Sequence, residues 1–390
     1  MVKEVGNNNK RAIFARRLQN ARKICGLSQA DVVDKMEKLV MELPILYKAV
    51  STTAIERYEK GIMFPESDKI LGTLAVVLNT TIGDLLRPFT VEVDCSKFEF
   101  RKKSKLGKKA EEAIKLKIQQ RIEKYVEIER IAGEEKQFDM NVLADIVVTD
   151  EESARQAALR LREEWNLGKG PIAQPILVLE SHGVKVIEVE ENPELFDGTS
   201  NTVEGIPVLV LNKNDAPMTE AKYQMSEERR RLTLFHELGH QVMKLEEGLE
   251  KKQKEDLCNV FANEMLIPCE TFKEIVGEKR TSISYWELKD IQKEFGISVR
   301  ALMVKAAQLD IISQNKLKWF FISMNKNKDM QEKLDKSEIP TQHTSRFNRL
   351  VYRMLASEVI TTSKASQLLD ISVSQLNKNL NYGIADGYSC

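Results

Sequence analysis

The chain is predicted to be mainly α-helical with one small β-sheet, an α+β protein built from more than one domain. Three observations lead there. Its 390 residues exceed what one ordinary hydrophobic core accommodates, so two or three domains are expected. Apolar residues recur at helical spacing through most of the chain, and only two short runs rich in β-branched residues depart from it. Aromatic residues make up 6% of the chain, which suits helical domains better than a β-sandwich.

Composition narrows the class further. A hydrophobic content of 42% with 30% charged residues describes a folded, soluble chain. The formal net charge is +0, so nucleic-acid binding would have to come from local patches rather than from the whole molecule. Cys25, Cys95, Cys258, Cys269 and Cys390 are scattered without a C-x-x-C pair, and read as reduced thiols rather than a disulfide frame or a cysteine zinc site. Residues 1–10 contain no apolar core of a signal peptide, and no run of about 18 apolar residues occurs. A cytoplasmic location with no membrane association is expected.

The elements follow in order. Phe14, Leu18, Ala21 and Ile24 share a helical face that Gly26 ends. Ser28 caps a helix from Gln29 to about Leu39, and a looser stretch surrounds Pro44. Ser51 caps a helix to Tyr58 that stops at Gly61, and helices at Ser67–Leu78 and Ile82–Leu86 complete the group. From Lys97 to Lys124 basic residues far outnumber acidic ones. Ile114, Ile118, Ile122 and Tyr125 give this connector one buried stripe, with the lysines expected outside. A helix over Glu152–Trp165 and another over Ile176–Glu180 precede strands at Lys185–Val189 and Pro207–Leu211. After Pro268 the pattern returns to helices, at Tyr285–Phe295, at Val299–Leu309 and from Phe347 to Leu380. The expected domains are 1–92, 93–149 (the connector), 150–315 and 316–390.

The chain has four histidines, and two stand in His236-Glu237-Leu238-Gly239-His240. On a helix, positions i and i+4 lie one turn apart on one face, so both imidazoles can reach one metal. Glu237 sits on the neighbouring flank, placed to take a proton from a metal-activated water without being a ligand. A catalytic zinc needs three protein ligands, and the third is sought in Lys254–Pro268. Glu255 and Asn259 are four residues apart, so Glu255 is expected to bind the metal and Asn259 to orient a ligand imidazole. Asp256 and Glu264 are the rival ligands. Gly239 costs about 1 kcal/mol in mid-helix relative to Ala, which suggests close approach of another element.

Arg229-Arg-Arg-Leu-Thr-Leu-Phe-His-Glu-Leu-Gly-His240, followed by Asn259-Val-Phe-Ala-Asn-Glu-Met-Leu-Ile-Pro268, resembles the ImmA/IrrE family of bacterial and phage metallopeptidases. Trp165-Asn-Leu-Gly168, Leu179-Glu-Ser-His-Gly183 and Phe196-Asp-Gly-Thr-Ser200 are also similar to that family, over roughly Ala154 to Ile312. The resemblance implies a zincin-like domain with Zn2+ on His236, His240 and Glu255, Glu237 as general base, and helix-turn-helix repressors as substrates. Gln241-Val-Met-Lys244 stands where the family frequently has a basic or aromatic residue, so the group that steadies the oxyanion is unassigned.

The N-terminal run resembles the XRE, or lambda-repressor-like, helix-turn-helix family. Leu27-Ser-Gln-Ala-Asp31 would open the first helix of the motif, and Ser51–Gly61 would hold the recognition helix. That resemblance implies base contacts from Thr52, Thr53, Glu56 and Arg57, with Gln29, Ser51 and Lys60 in the same DNA-facing set. Ile55 and Tyr58 read as core, and Arg22 with Glu59 as a structural ion pair. About a dozen extra residues (Glu37–Val50) enlarge the turn. Arg346–Ser372 looks like a second, shorter helix-turn-helix, serving dimer or DNA contact.

Together these imply a DNA-binding regulator carrying a zinc endopeptidase that cleaves a repressor- or antitoxin-type partner, or itself. Expected partners are a double-stranded DNA operator, a protein of repressor or toxin type, and a second copy of the chain. The competing expectation is a repressor or antitoxin that keeps the metallopeptidase fold as a sensor or partner-binding scaffold.

Overall fold

A computed structural model describes residues 2–89, 98, 107–190, 197–203, 205–213 and 225–381. Cys95, Cys390, Phe196 and the connector residues Lys97, Arg101, Lys102, Lys103 and Lys105 lie outside the described residues. The described chain is α+β, mostly helical with a small sheet. None of its helices is long and apolar enough to cross a membrane. Contacts divide it into two compact units. One gathers the N-terminal helices, Leu106–Glu135 and the chain from Ser345 onward; the other holds Lys136–Thr344.

The first unit opens with α1 (Val2–Ile24), α2 (Gln29–Glu42), α3 (Thr52–Glu59), α4 (Asp68–Val77) and α5 (Ile82–Leu86). Ser28 caps α2 by accepting from the Asp31 N–H, and Ser51 caps α3 by accepting from Ala54. Phe14, Leu18, Met36, Ile55, Tyr58, Ile70 and Leu74 close one core. Arg22 forks onto both carboxylate oxygens of Glu59, at 2.6 and 2.8 Å, and ties α1 to α3.

The connector becomes α6 (Lys108–Ala132), and its role differs from that of a solvated basic rod. Ile114, Ile118, Ile122 and Tyr125 are buried as the spacing requires, but so are Glu123 and Lys124. Arg17 and Arg87 meet Glu123 at 2.6 and 3.1 Å, and Lys124 reaches Asp84 at 3.4 Å and also pairs with Asp370. Spacing alone placed every lysine outside. The fold instead uses this helix as a spine with packing on more than one face. Replacing Glu123 with Gln is expected to cost about 2 kcal/mol, because two buried guanidiniums lose their shared charge partner. An unchanged urea-unfolding midpoint, followed by circular dichroism, would contradict this.

The second unit runs through β1 (Val147–Val148), α7 (Glu151–Glu164), α8 (Pro175–Ser181), β2 (Lys185–Val189), β3 (Gly198–Val203) and β4 (Ile206–Asn212). It continues with α9 (Glu227–Val242), β5 (Lys244–Leu245), α10 (Lys251–Leu266), α11 (Cys269–Val276), α12 (Tyr285–Phe295) and α13 (Val299–Gln308), then α14 (Gln314–Lys326) and α15 (Lys328–Asp335). The sheet order is β2-β4-β3, with β2 parallel and β3 antiparallel to β4; β1 and β5 form a separate parallel pair. The polar strand β3 is an edge that the apolar pattern does not announce. It forms because it pairs with β4 along its length and lies against α9.

Two anchors fix α9. Glu227 and Glu228 stand in its first turn, where carboxylates complement the helix dipole. Arg230 reaches Glu188 on β2 at 2.6 Å, and Arg231 donates to the carbonyls of Ile172 and Ala173. Burial pushes the Glu227 carboxyl above its ordinary range, against the pull of Arg230 and Arg231.

The chain then returns to the first unit as α16 (Arg346–Ala356), α17 (Thr362–Leu369) and α18 (Val373–Asn381). Phe347, Leu350, Val351, Leu368 and Leu376 pack on Tyr125 and Ile128 of α6. These last helices share a core with the connector although more than 200 residues separate them in sequence.

Candidate metal centre

The site grows from the crossing of α9 and α10. Gly239 makes the crossing close. A Cβ added there would sit 3.1 Å from Phe261 Cδ1 on α10 and 3.3 Å from Met243 Cε. Phe261 is fully buried, so the crowding has no easy relief.

One turn apart on α9, the two imidazoles bring their Nε2 atoms to 3.0 Å. From α10, Glu255 sets Oε2 at 3.4 Å from His236 Nε2 and Oε1 at 3.3 Å from His240 Nε2. His236 Nδ1 donates to Asn259 Oδ1 at 2.9 Å. That bond places the His236 proton on Nδ1 and leaves its Nε2 as an acceptor aimed at the other two groups. Two imidazoles and a carboxylate, each able to bind a metal, therefore converge. Zinc bonds of about 2.0–2.2 Å in a tetrahedron give ligand-to-ligand edges of about 3.2–3.6 Å. The two histidine-to-Glu255 separations, 3.4 and 3.3 Å, fall in that range, and the two imidazole nitrogens at 3.0 Å stand slightly inside it, so the donor set suits the ion.

The rival carboxylates go elsewhere. Asp256 is exposed and lines a separate cavity of about 350 Å³. Glu264 is buried against Lys305 Nζ at 3.0 Å and accepts from the Cys269 N–H at 2.7 Å.

Glu237 is buried beside the histidines but serves a different network. Thr202 Oγ1 donates to Gln241 Oε1 at 2.8 Å, and Gln241 Nε2 donates to Ser200 Oγ at 3.0 Å. Ser200 Oγ in turn donates to Glu237 Oε2 at 2.7 Å. Strand β3 thus holds the carboxylate through a directed chain of hydrogen bonds. Gln241, the departure in the motif's flank, is a link in that chain. A cleft of about 580 Å³ reaches the centre on the His236 and Asn259 side, lined also by Asp197, Arg229, Thr233 and Arg300.

Sequence reasoning missed two residues here. Ser200 stood in the Phe196–Ser200 segment similar to the family but had no readable role, because the polar strand β3 was not evident. Cys258, which reads as one of five reduced thiols outside any cysteine zinc site, has its sulfur within 4.8 Å of ligand atoms of both His236 and His240. Its signal was available: Cys258 follows Glu255 by three residues, so the two share a helix face.

In the first unit, Thr52, Thr53, Glu56, Arg57 and Lys60 are exposed on and beside α3, whereas Ile55 and Tyr58 are core. Glu56 and Lys60 pair at 2.6 Å. Two members of the expected DNA-facing set have structural partners: Ser51 is the α3 cap, and Gln29 Nε2 donates to Glu59 at 2.9 Å.

Residues 179–306 match the family model described as the IrrE N-terminal-like domain, Peptidase_M78, so this part of the chain is a metallopeptidase-like domain. That family is typically zinc-dependent. Comparison with curated proteins gave no match, and neither did comparison with solved structures.

Proposed function

We propose that the chain is a DNA-binding regulator whose second unit is a zinc endopeptidase acting on a repressor- or antitoxin-type protein, or on the chain itself. The observation that carries the enzymatic half is the convergence of His236, His240 and Glu255 beside a carboxylate held by Ser200. His236, His240 and Glu255 would hold the metal. Bound there, zinc supplies Lewis acidity toward a scissile carbonyl and an attacking water. Glu237 accepts the proton of that water and returns it to the leaving amine, as general base and then general acid. Ser200 keeps the Glu237 carboxylate in one orientation throughout. Asn259 holds the His236 ring so that Nε2, not Nδ1, faces the centre. The open cleft beside His236 supplies room for a polypeptide.

The DNA-binding half rests on the exposed side chains of α3 above a closed helical core. Thr52, Thr53, Glu56 and Arg57 would meet base edges, with Lys60 on phosphate. Arg57→Ala is expected to weaken operator binding by about 1–3 kcal/mol, and Lys60→Ala to weaken all duplexes alike and lower the salt slope by about one. Equal affinity of wild type and Arg57→Ala for every duplex in a randomised pool would remove α3 from recognition.

Protein termini compared between cells expressing wild type and Glu237→Gln test the protease reading. One new terminus dependent on Glu237 is the expected result. If none appears while Glu237→Gln regulates as well as wild type, the metallopeptidase fold is a sensor or scaffold instead.

A further inference from the structure

We infer that Cys258 is a fourth protein ligand of this centre, so that the resting site is closed by a thiolate where an open site would hold water. The inference rests on the zinc reading above and adds how that site is kept latent. Cys258 is fully buried, three residues after Glu255 on the same face of α10. Its sulfur lies within 4.8 Å of ligand atoms of both histidines. In a zinc tetrahedron with a sulfur bond of about 2.3 Å, a sulfur-to-nitrogen edge is about 3.6 Å.

The chemistry favours the contact. Thiolate and imidazole together form a donor set that zinc prefers, and ligation releases the thiol proton to solvent. Zinc sites closed by four protein ligands are structural, whereas catalytic sites keep one position open. Two helices here present both possibilities. With Cys258 bound, His236, His240, Glu255 and the thiolate complete the shell. With Cys258 turned away, the three remaining ligands leave room for water and substrate. The residue therefore sets whether the centre is latent or competent.

Cobalt(II) loaded into the full-length protein reads this directly. The expected spectrum shows the visible bands of a tetrahedral site together with a near-ultraviolet thiolate-to-cobalt charge-transfer band. Cys258→Ser should abolish the charge-transfer band, keep visible bands, and weaken zinc affinity by about tenfold or more. Because a buried substitution can disturb folding, a second variant replaces Cys25, Cys95, Cys269 and Cys390 with Ser and leaves Cys258 in place. That variant should retain the band. Visible bands without a thiolate band in wild type would overturn the Cys258 assignment while leaving the three-ligand site intact. Failure of the wild type to bind cobalt or zinc at all would overturn both.

Discussion

Replacing Glu237 with Gln is expected to slow peptide-bond cleavage by about 10²–10⁴-fold while leaving one zinc on the chain, because general acid–base catalysis contributes on that scale. Glutamine matches glutamate in size and still offers an oxygen to the Ser200 hydroxyl that now reaches Oε2 at 2.7 Å. What it lacks is a basic carboxylate. His236 and His240 have other partners that hold them: Asn259 orients the first, and both meet Glu255. The readout is turnover of a peptide spanning the Glu237-dependent terminus, with metal content measured on the same preparation. Ser200→Ala should cost less, about tenfold, since it removes one hydrogen bond to a charged group rather than the proton acceptor. Cleavage that survives Glu237→Gln would place the proton acceptor elsewhere.

The second large effect concerns stability. Lys305→Met is expected to destabilise the second unit by about 3–5 kcal/mol, since removing one partner of a buried ion pair strands the other. Lys305 Nζ meets Glu264 Oε2 at 3.0 Å and donates to the Ile267 carbonyl at 2.6 Å. Both side chains are almost sealed from water, at 6% and 3% exposure, so solvent does little to replace the lost charge. Glu264 would keep the Cys269 N–H and thiol as donors and lose its directly bonded cation, with Arg155 and Arg162 acting on it only through space. Burial already pushes the Cys269 thiol above its ordinary value, with Lys305 opposing that rise. For a unit of this size the loss corresponds to a fall of about 6–20 °C in melting temperature. The double variant Glu264→Met/Lys305→Met should recover most of it, because a matched apolar pair has no stranded charge. A single variant as stable as wild type would show that the adjoining cavity hydrates Glu264 well enough to leave it ionised.

Much of this architecture was legible in the residues. The spacing of His236 and His240, the caps at Ser28 and Ser51, strand β2 and the close approach at Gly239 are local or single-crossing consequences of sequence. Periodicity, capping chemistry and the missing Cβ of glycine express them directly. Arg22 and Glu59 were readable as a pair because both flank one short helical group. Other features depend on partners distant in the chain. Strand β3 is polar, and it is a strand because β4 and α9 make it one. Ser200 acquires a role only after that strand forms. The helical spacing of α6 identified its apolar stripe but could not show Arg17, Arg87, Asp84 and Asp370 arriving from other helices to bury Glu123 and Lys124. Similarly, Glu255, Asp256 and Glu264 are alike as carboxylates on α10. Their separation into a candidate ligand, an exposed side chain and a buried ion-pair partner follows from what α9 and α13 place opposite each.

Metal content of the purified full-length chain tests the zinc centre most directly. Mass spectrometry of the dissolved protein should find one zinc per wild-type chain, falling below about a tenth in His236→Ala/His240→Ala, since loss of both imidazoles leaves too few ligands to retain it. A zinc-free wild type after loading, or a double variant that still carries one zinc per chain, would contradict the assignment of His236, His240 and Glu255 as the metal centre.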